Sequence, residues 1–157
     1  MSPTVAAITA TVRAWEASLP SLSKVDSVVW GLGFDPLPPA LYARHPSGTN
    51  ALGLLGGCDA GQHEALLIAH LTISWKDIAD DGLVDTAVRD LVATIQRDVS
   101  ALGDLDPFVY LNYAAAWQDP FAGYNQSELD KLQRVRREFD PRGIFTESVP
   151  GGFKIPQ

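Results

Sequence analysis

Glu64-Ala65-Leu66-Leu67-Ile68-Ala69-His70-Leu71-Thr72-Ile73-Ser74-Trp75 alternates as a half-buried strand does. Successive side chains of an extended chain point to opposite sides, so Ala65, Leu67, Ala69, Leu71, Ile73 and Trp75 share one apolar face. The other face, Leu66, Ile68, His70, Thr72 and Ser74, is apolar at one end and polar at the other. A strand of that kind often borders a cavity.

Working upstream, Val28 to Phe34 reads as a second strand, with Val28, Trp30, Leu32 and Phe34 on one face and Val29, Gly31 and Gly33 on the other. The glycine side lies under a ligand or a close backbone, or it marks a bulge, and the bulge is favoured. Asp35-Pro36-Leu37-Pro38-Pro39 is expected to stop this strand. Residues 40 to 64 are rich in glycine and polar residues, with a short extended piece at Ala51 to Leu55, and read as a loop over a site. The N-terminal residues 3 to 19 predict a helix capped by Ser2, with Pro3 in its first position. Val5, Ile8, Val12, Trp15 and Leu19 form its stripe, and Pro20 ends it.

Downstream, Asp81 to Leu102 predicts a long helix that buries Val84, Val88, Leu91, Ile95, Val99 and Leu102 and stops at Gly103. Phe108 to Tyr113 reads as a third strand. Ser127 is expected to start a last helix, with Asp130 completing a capping box and Leu129, Leu132, Val135 or Arg136, and Phe139 facing inward. Asp140-Pro141-Arg142-Gly143 breaks it, and the tail reads as irregular. The order predicts a single α+β domain over 1–157, an antiparallel sheet with helices packed on one face.

Composition narrows the function. With 46% hydrophobic and 20% charged residues the chain is expected to be globular. A net charge of −7, with no basic cluster outside one mixed-charge helix, argues against nucleic acid as a partner. The single Cys58 excludes an internal disulfide, and the three histidines are too scattered to propose a metal. No apolar run reaches the ~20 residues of a membrane span. Arg13 and Glu16 interrupt the N-terminal apolar stretch, so no signal peptide is expected and a cytoplasmic location is the default.

A string of motifs spans most of the chain. It runs Tyr110-Leu111-Asn112-Tyr113-Ala114, Trp117-Gln118-Asp119-Pro120, Tyr124, Phe139-Asp140-Pro141-Arg142-Gly143-Ile144-Phe145 and Val149-Pro150-Gly151-Gly152-Phe153. Upstream stand Trp30, Pro36-Leu37-Pro38-Pro39 and Ser74-Trp75-Lys76-Asp77. Together they resemble the substrate domain and C-terminal motif (about 108–157) of berberine-bridge-type FAD-linked oxidoreductases, of the vanillyl-alcohol-oxidase superfamily and fungal in type. Asn125 departs from that pattern, which has glycine after the tyrosine. The glycine-rich pyrophosphate loop and the covalent flavin attachment of such enzymes have no counterpart here. No cofactor is therefore expected, with FAD entering only through a separate domain.

The resemblance implies that Tyr113 acts as a catalytic base, with Tyr110 and Asn112 lining the site. On an unbroken strand Tyr113 faces away from the other two, so convergence requires a bulge; the same residues also serve as packing alone. His70, beside Thr72, reads as a general base or hydrogen-bond donor, or equally as a satisfied core histidine. Trp30 and Trp117 are candidate walls of an apolar pocket, or core aromatics. Turn chemistry accounts for Asp35, and His45 and His63 read as surface residues. These residues predict a free-standing, flavin-free substrate domain that binds an apolar natural-product intermediate and promotes its cyclisation or isomerisation. The alternatives are a fragment completed in trans by an FAD domain and a non-catalytic binding protein. A homodimer is expected, because losing the flavin domain leaves apolar surface bare.

Overall fold

The structure, a computed structural model, describes residues 1–42 and 65–156. The loop expected over the site falls almost wholly outside these residues, together with its extended piece, His45, Cys58 and His63. The chain divides into two compact units: Met1–Leu37 with Ala65–Asp106, and Pro38–Glu64 with Pro107–Gln157.

In the first unit, Thr4 caps helix α1 (Val5–Ser18) by accepting the Ala7 N–H at 3.0 Å. Thr4, not Ser2, is thus the cap, since the helix begins at Val5; Ser2 lies ahead of it and donates its N–H to Asp104 O at 2.8 Å. Pro20 does not stop the chain's coiling: a 3₁₀ turn, Leu19–Leu22, follows directly, with the proline in its first positions where no N–H is needed. The buried face of α1 is Ala7, Thr11 and Ala14. This corrects the expected stripe, whose ends Val5 and Leu19 are 82% and 42% exposed. Small side chains let α1 lie close against helix α3 (Asp81–Ala101). Larger neighbours such as Ile8 and Trp15 are left half-buried at the margins.

Strand β1 (Val29–Leu37) pairs antiparallel with strand β2 (Leu66–Ser74), from Val29↔Ser74 to Leu37↔Leu66 without interruption. Two expectations fail here. No bulge occurs at the glycines, and β1 continues through Asp35 and Pro36 rather than stopping at them. Pro36 is tolerated because it sits opposite Leu67, whose own N–H and C=O point away from β1. The Trp30/Ile73 face packs on a core of Leu22, Val25, Val84 and Ala87. As expected, α3 runs to the Leu102 C-cap and stops at Gly103, which has φ 75°. Its buried stripe is Val84, Ala87, Leu91 and Val99, while Leu102 is 48% exposed.

In the second unit, the short helix α2 (Pro39–Tyr42) precedes the undescribed segment. The third strand is absent. Residues 108–110 are irregular and Leu111–Tyr113 forms a 3₁₀ turn. Alternation alone does not make a strand where the backbone turns, as it does at Leu111–Tyr113. Helix α4 (Gln126–Phe139) is capped by Asn125, whose Oδ1 accepts the Glu128 N–H at 3.0 Å. The cap is therefore two residues ahead of the expected start, and Asp130 instead accepts from Gln126 Nε2 at 2.8 Å. Leu129, Leu132 and Arg136 are half-buried, but Val135 and Phe139 are 50% and 76% exposed.

The breaker after α4 is an organised turn. Gly143 takes φ 66°, and the Asp140 carboxylate accepts the N–H groups of Ile144 at 2.7 Å and Phe145 at 3.0 Å. A single π-helical turn, Ile144–Ser148, follows. Lys154 Nζ closes it by donating to the carbonyls of Phe145 and Val149 at 3.0 and 2.9 Å. Among the described residues no helix is long and apolar enough to cross a membrane.

Candidate functional site

The β1–β2 register explains why a polar pair stands on the face away from the core. Gly33 lies opposite His70, and Asp35 lies opposite Ile68, one step along the same face. A Cβ at Gly33 would fall on the His70 imidazole, so the glycine is what lets the ring lie across β1. Gly31, opposite Thr72, has only ordinary van der Waals room to fill. His70 Nδ1 then sits 3.1 Å from Asp35 Oδ2, within ion-pair distance although off the line of an ideal N–H donation. The two side chains are 28% and 45% exposed.

Leu66, Ile68 and Leu37 flank the pair at one end of this face, and the exposed Thr72 and Ser74 lie at the other. A carboxylate 3.1 Å from one imidazole nitrogen fixes the ring's orientation, and an imidazole so placed is a group able to take or give a proton. Asp35 is therefore not a turn residue. The sequence carried a signal for it: a glycine with a carboxylate two residues on, in one strand, and a lone histidine in the other.

Trp30 belongs to the opposite face of the same sheet. It packs against the Leu22–Val84 core, and its Nε1 is buried without an acceptor among the described residues. The structure does not bring Trp30 together with His70. Trp75, by contrast, satisfies its indole by donating to Asp81 at 2.7 Å.

The second unit gathers the tyrosine motif by a different device from the expected bulge. The 3₁₀ turn brings Tyr110 and Tyr113 edge to face, with centroids 4.9 Å apart, and Asn112 Nδ2 donates to the Tyr110 hydroxyl at 2.8 Å. Tyr113 is 54% exposed. Trp117 is half-buried in the turn that follows, where Gln118 accepts the Ala115 N–H at 2.9 Å and Asp119 accepts that of Phe121 at 2.9 Å. Behind them Phe121 and Tyr124 are buried edge to face at 5.5 Å. Burial raises the Tyr124 hydroxyl above its ordinary pKa. Gly123 permits the close approach of the Pro107 backbone, since a Cβ there would collide with the Pro107 carbonyl.

Among the described residues no three His, Cys, Asp or Glu side chains are grouped to hold a metal. A helix N-terminus is one seat for a diphosphate. The first turns of α3 and α4 carry Asp81 and Glu128, and Thr4 at the start of α1 donates to Asp104 at 2.7 Å, so carboxylates stand at these three ends.

No family model matches the chain, and no solved structure matches it. Several curated proteins do. The chain is 41% identical over 152 residues to oligopeptidase PhomG' of Diaporthe leptostromiformis, covering 96% of this chain and 12% of that protein. It is 32% identical over 124 residues to the FAD-dependent monooxygenase drtC of Aspergillus calidoustus, covering 78% of this chain and 23% of the relative. With the FAD-dependent monooxygenase tpcD of Cochliobolus heterostrophus the identity is 38% over 128 residues, covering 79% and 23%. The chain thus spans between 12% and 23% of the length of these curated relatives. It is similar to one portion of FAD-dependent monooxygenases.

Proposed function

We propose that this chain binds a small apolar natural-product intermediate over the His70 face of the β1–β2 ribbon and moves a proton on it, promoting isomerisation or cyclisation without a flavin. The observation that carries this reading is the Asp35–His70 pair, set 3.1 Å apart over Gly33, where a Cβ would displace the imidazole. The His70 imidazole takes a proton from a carbon next to a carbonyl, the C–H electron pair moves into the enolate, and the proton returns to another carbon. Electrons balance with no oxidant. Leu66, Ile68 and Leu37 supply the apolar contact. The Tyr110–Asn112–Tyr113 turn is a second polar cluster, in which Tyr113 serves as a hydrogen-bonding or proton-transferring group.

A probe for a positioned base tests this directly: 5-nitrobenzisoxazole, whose ring opens when its C–H proton is removed. The intact chain is expected to accelerate the opening, and His70→Ala to lose ~10²-fold of that acceleration with thermal stability retained. Equal rates for the two proteins overturn the reading.

A second reading is favoured by the names and lengths of the relatives. In it the chain is the substrate-side portion of an FAD-dependent monooxygenase whose flavin is held elsewhere. The two readings separate on addition of a flavin-bearing portion of drtC: only the second expects new oxidation of substrate. Self-association into a homodimer accompanies the first reading, since Val135, Phe139 and Phe145 leave apolar surface 50%, 76% and 69% exposed. Sedimentation of a monomer at micromolar concentration removes that part.

A further inference from the structure

The outer edge of β2 carries a pairing whose direction is informative. The Met1 amino group donates to Leu67 O at 3.2 Å, and the Leu67 N–H donates to Met1 O at 2.8 Å. Two residues that exchange both bonds form an antiparallel pair, since parallel strands never bond that way. Because Leu67 points its backbone away from β1, the same parity turns Ala69, Leu71 and Ile73 outward. Their N–H and C=O groups meet no backbone partner among the described residues.

We propose that this edge is the seat of a further antiparallel strand, formed by an extended segment joined directly in front of Met1 in a longer protein. Antiparallel register fixes the alignment. As β2 runs forward from Leu67, the added strand runs backward from Met1. The second, fourth and sixth residues before Met1 therefore pair with Ala69, Leu71 and Ile73.

Three observations favour this occupant. The Met1 side chain already lies on the core face, with its sulfur 3.6 Å from Thr11 Oγ1, so the strand's first member is in place. Burial also holds the Met1 amino group below the ordinary amine pKa, against the opposing pull of Asp106 and Asp104. A peptide N–H at that position would carry no charge to desolvate. Finally, relatives that this chain covers to only 12–23% have ample chain outside the matched portion. A second copy fits less well. Two β2 edges placed two-fold about Leu71 would pair Ala69 with Ile73, and the partner chain would then run into Met1 at Leu67.

The register has a consequence for the site. Residues two, four and six before Met1 share the core face with Leu67, Ala69, Leu71 and Ile73 and should be apolar. Those one, three and five before Met1 share the other face, and the third stands beside His70. The added strand would thus supply a further side of the surface that carries the Asp35–His70 pair. This inference rests on backbone pairing and does not depend on the chemistry proposed for that pair.

The test fuses Val-Thr-Val-Thr-Val-Thr in front of Met1 of the full chain and follows amide hydrogen exchange. Exchange at Ala69, Leu71 and Ile73 is expected to slow by at least about tenfold relative to the unextended chain. The same extension with proline second and fourth before Met1 removes the donors facing β2 and should give no protection. Overturning results are equal exchange with all extensions, or protection of these amides in the unextended chain that grows with protein concentration, which would assign the edge to a second copy.

Discussion

The two units solve the problem of burying polar backbone in opposite ways. The first uses long-range pairing: an uninterrupted nine-residue ladder and a helix that buries Val84, Ala87, Leu91 and Val99. Among its described residues the second uses local devices: Asn125 over α4, Asp140 over the π-helical turn, Lys154 on the carbonyls of Phe145 and Val149. In α4 only Glu128 is buried. Among the described residues a stripe of apolar side chains therefore organises α3 in one unit, and capping side chains organise α4 and the turn after it in the other.

The largest expected contrast is between the two helices. Leu91→Ala in α3, where the side chain is 3% exposed, should cost ~2–5 kcal/mol in denaturant unfolding. Val135→Ala in α4, at a site 50% exposed, should stay within ~0.5 kcal/mol. Comparable losses would mean that α4 is held by packing after all.

Glycines give the next contrast. Gly123→Ala drives a methyl group into the Pro107 carbonyl, and backbone cannot swing away, so ~1–3 kcal/mol of stability should be lost. Gly33→Ala meets a side chain instead. It should displace the His70 ring, visible as a changed imidazole NMR signal, and cost less in a His70→Ala background than alone. Gly31→Ala is the control, with room for its methyl group.

Caps come third. Asn125→Ala should cost ~1 kcal/mol, whereas Ser2→Ala, at the expected but unused cap, should leave α1 unchanged. The smallest effect is alkaline. The Tyr124 pKa is raised above its ordinary 10.0, so its contribution is full below pH 10.0 and is lost as pH rises through the folded-state value. Tyr124→Phe should remove that part of the alkaline loss in a pH-dependent melt.

Sequence patterning made α3 and the β1–β2 pair legible because each carries its signal in many residues at once. It misplaced both helix caps, since Ser2, Thr4, Asn125 and Ser127 are all chemically able to cap and only tertiary bonding chooses among them. It read Phe108–Tyr113 as a strand because alternation does not register the 3₁₀ turn at Leu111–Tyr113. In the site, His70 was visible as a polar residue in an apolar strand. Asp35 was missed, because the glycine-to-carboxylate spacing that marks it gains its meaning only from the register with β2. The Tyr110–Asn112–Tyr113 grouping was foreseen, but by a bulge instead of the 3₁₀ turn that makes it.

Gly33 and His70 also impose an order on change. While His70 is present, position 33 accepts no side chain without displacing the imidazole. If His70 is lost first, position 33 becomes open to alanine, and β-forming residues there would strengthen the ribbon. Once that happens the histidine cannot return to its place across β1. The step is a one-way gate in sequence space: a lineage that gives up the imidazole even briefly forfeits the Asp35 pair, whereas one that keeps it carries the glycine as a permanent tax on strand stability.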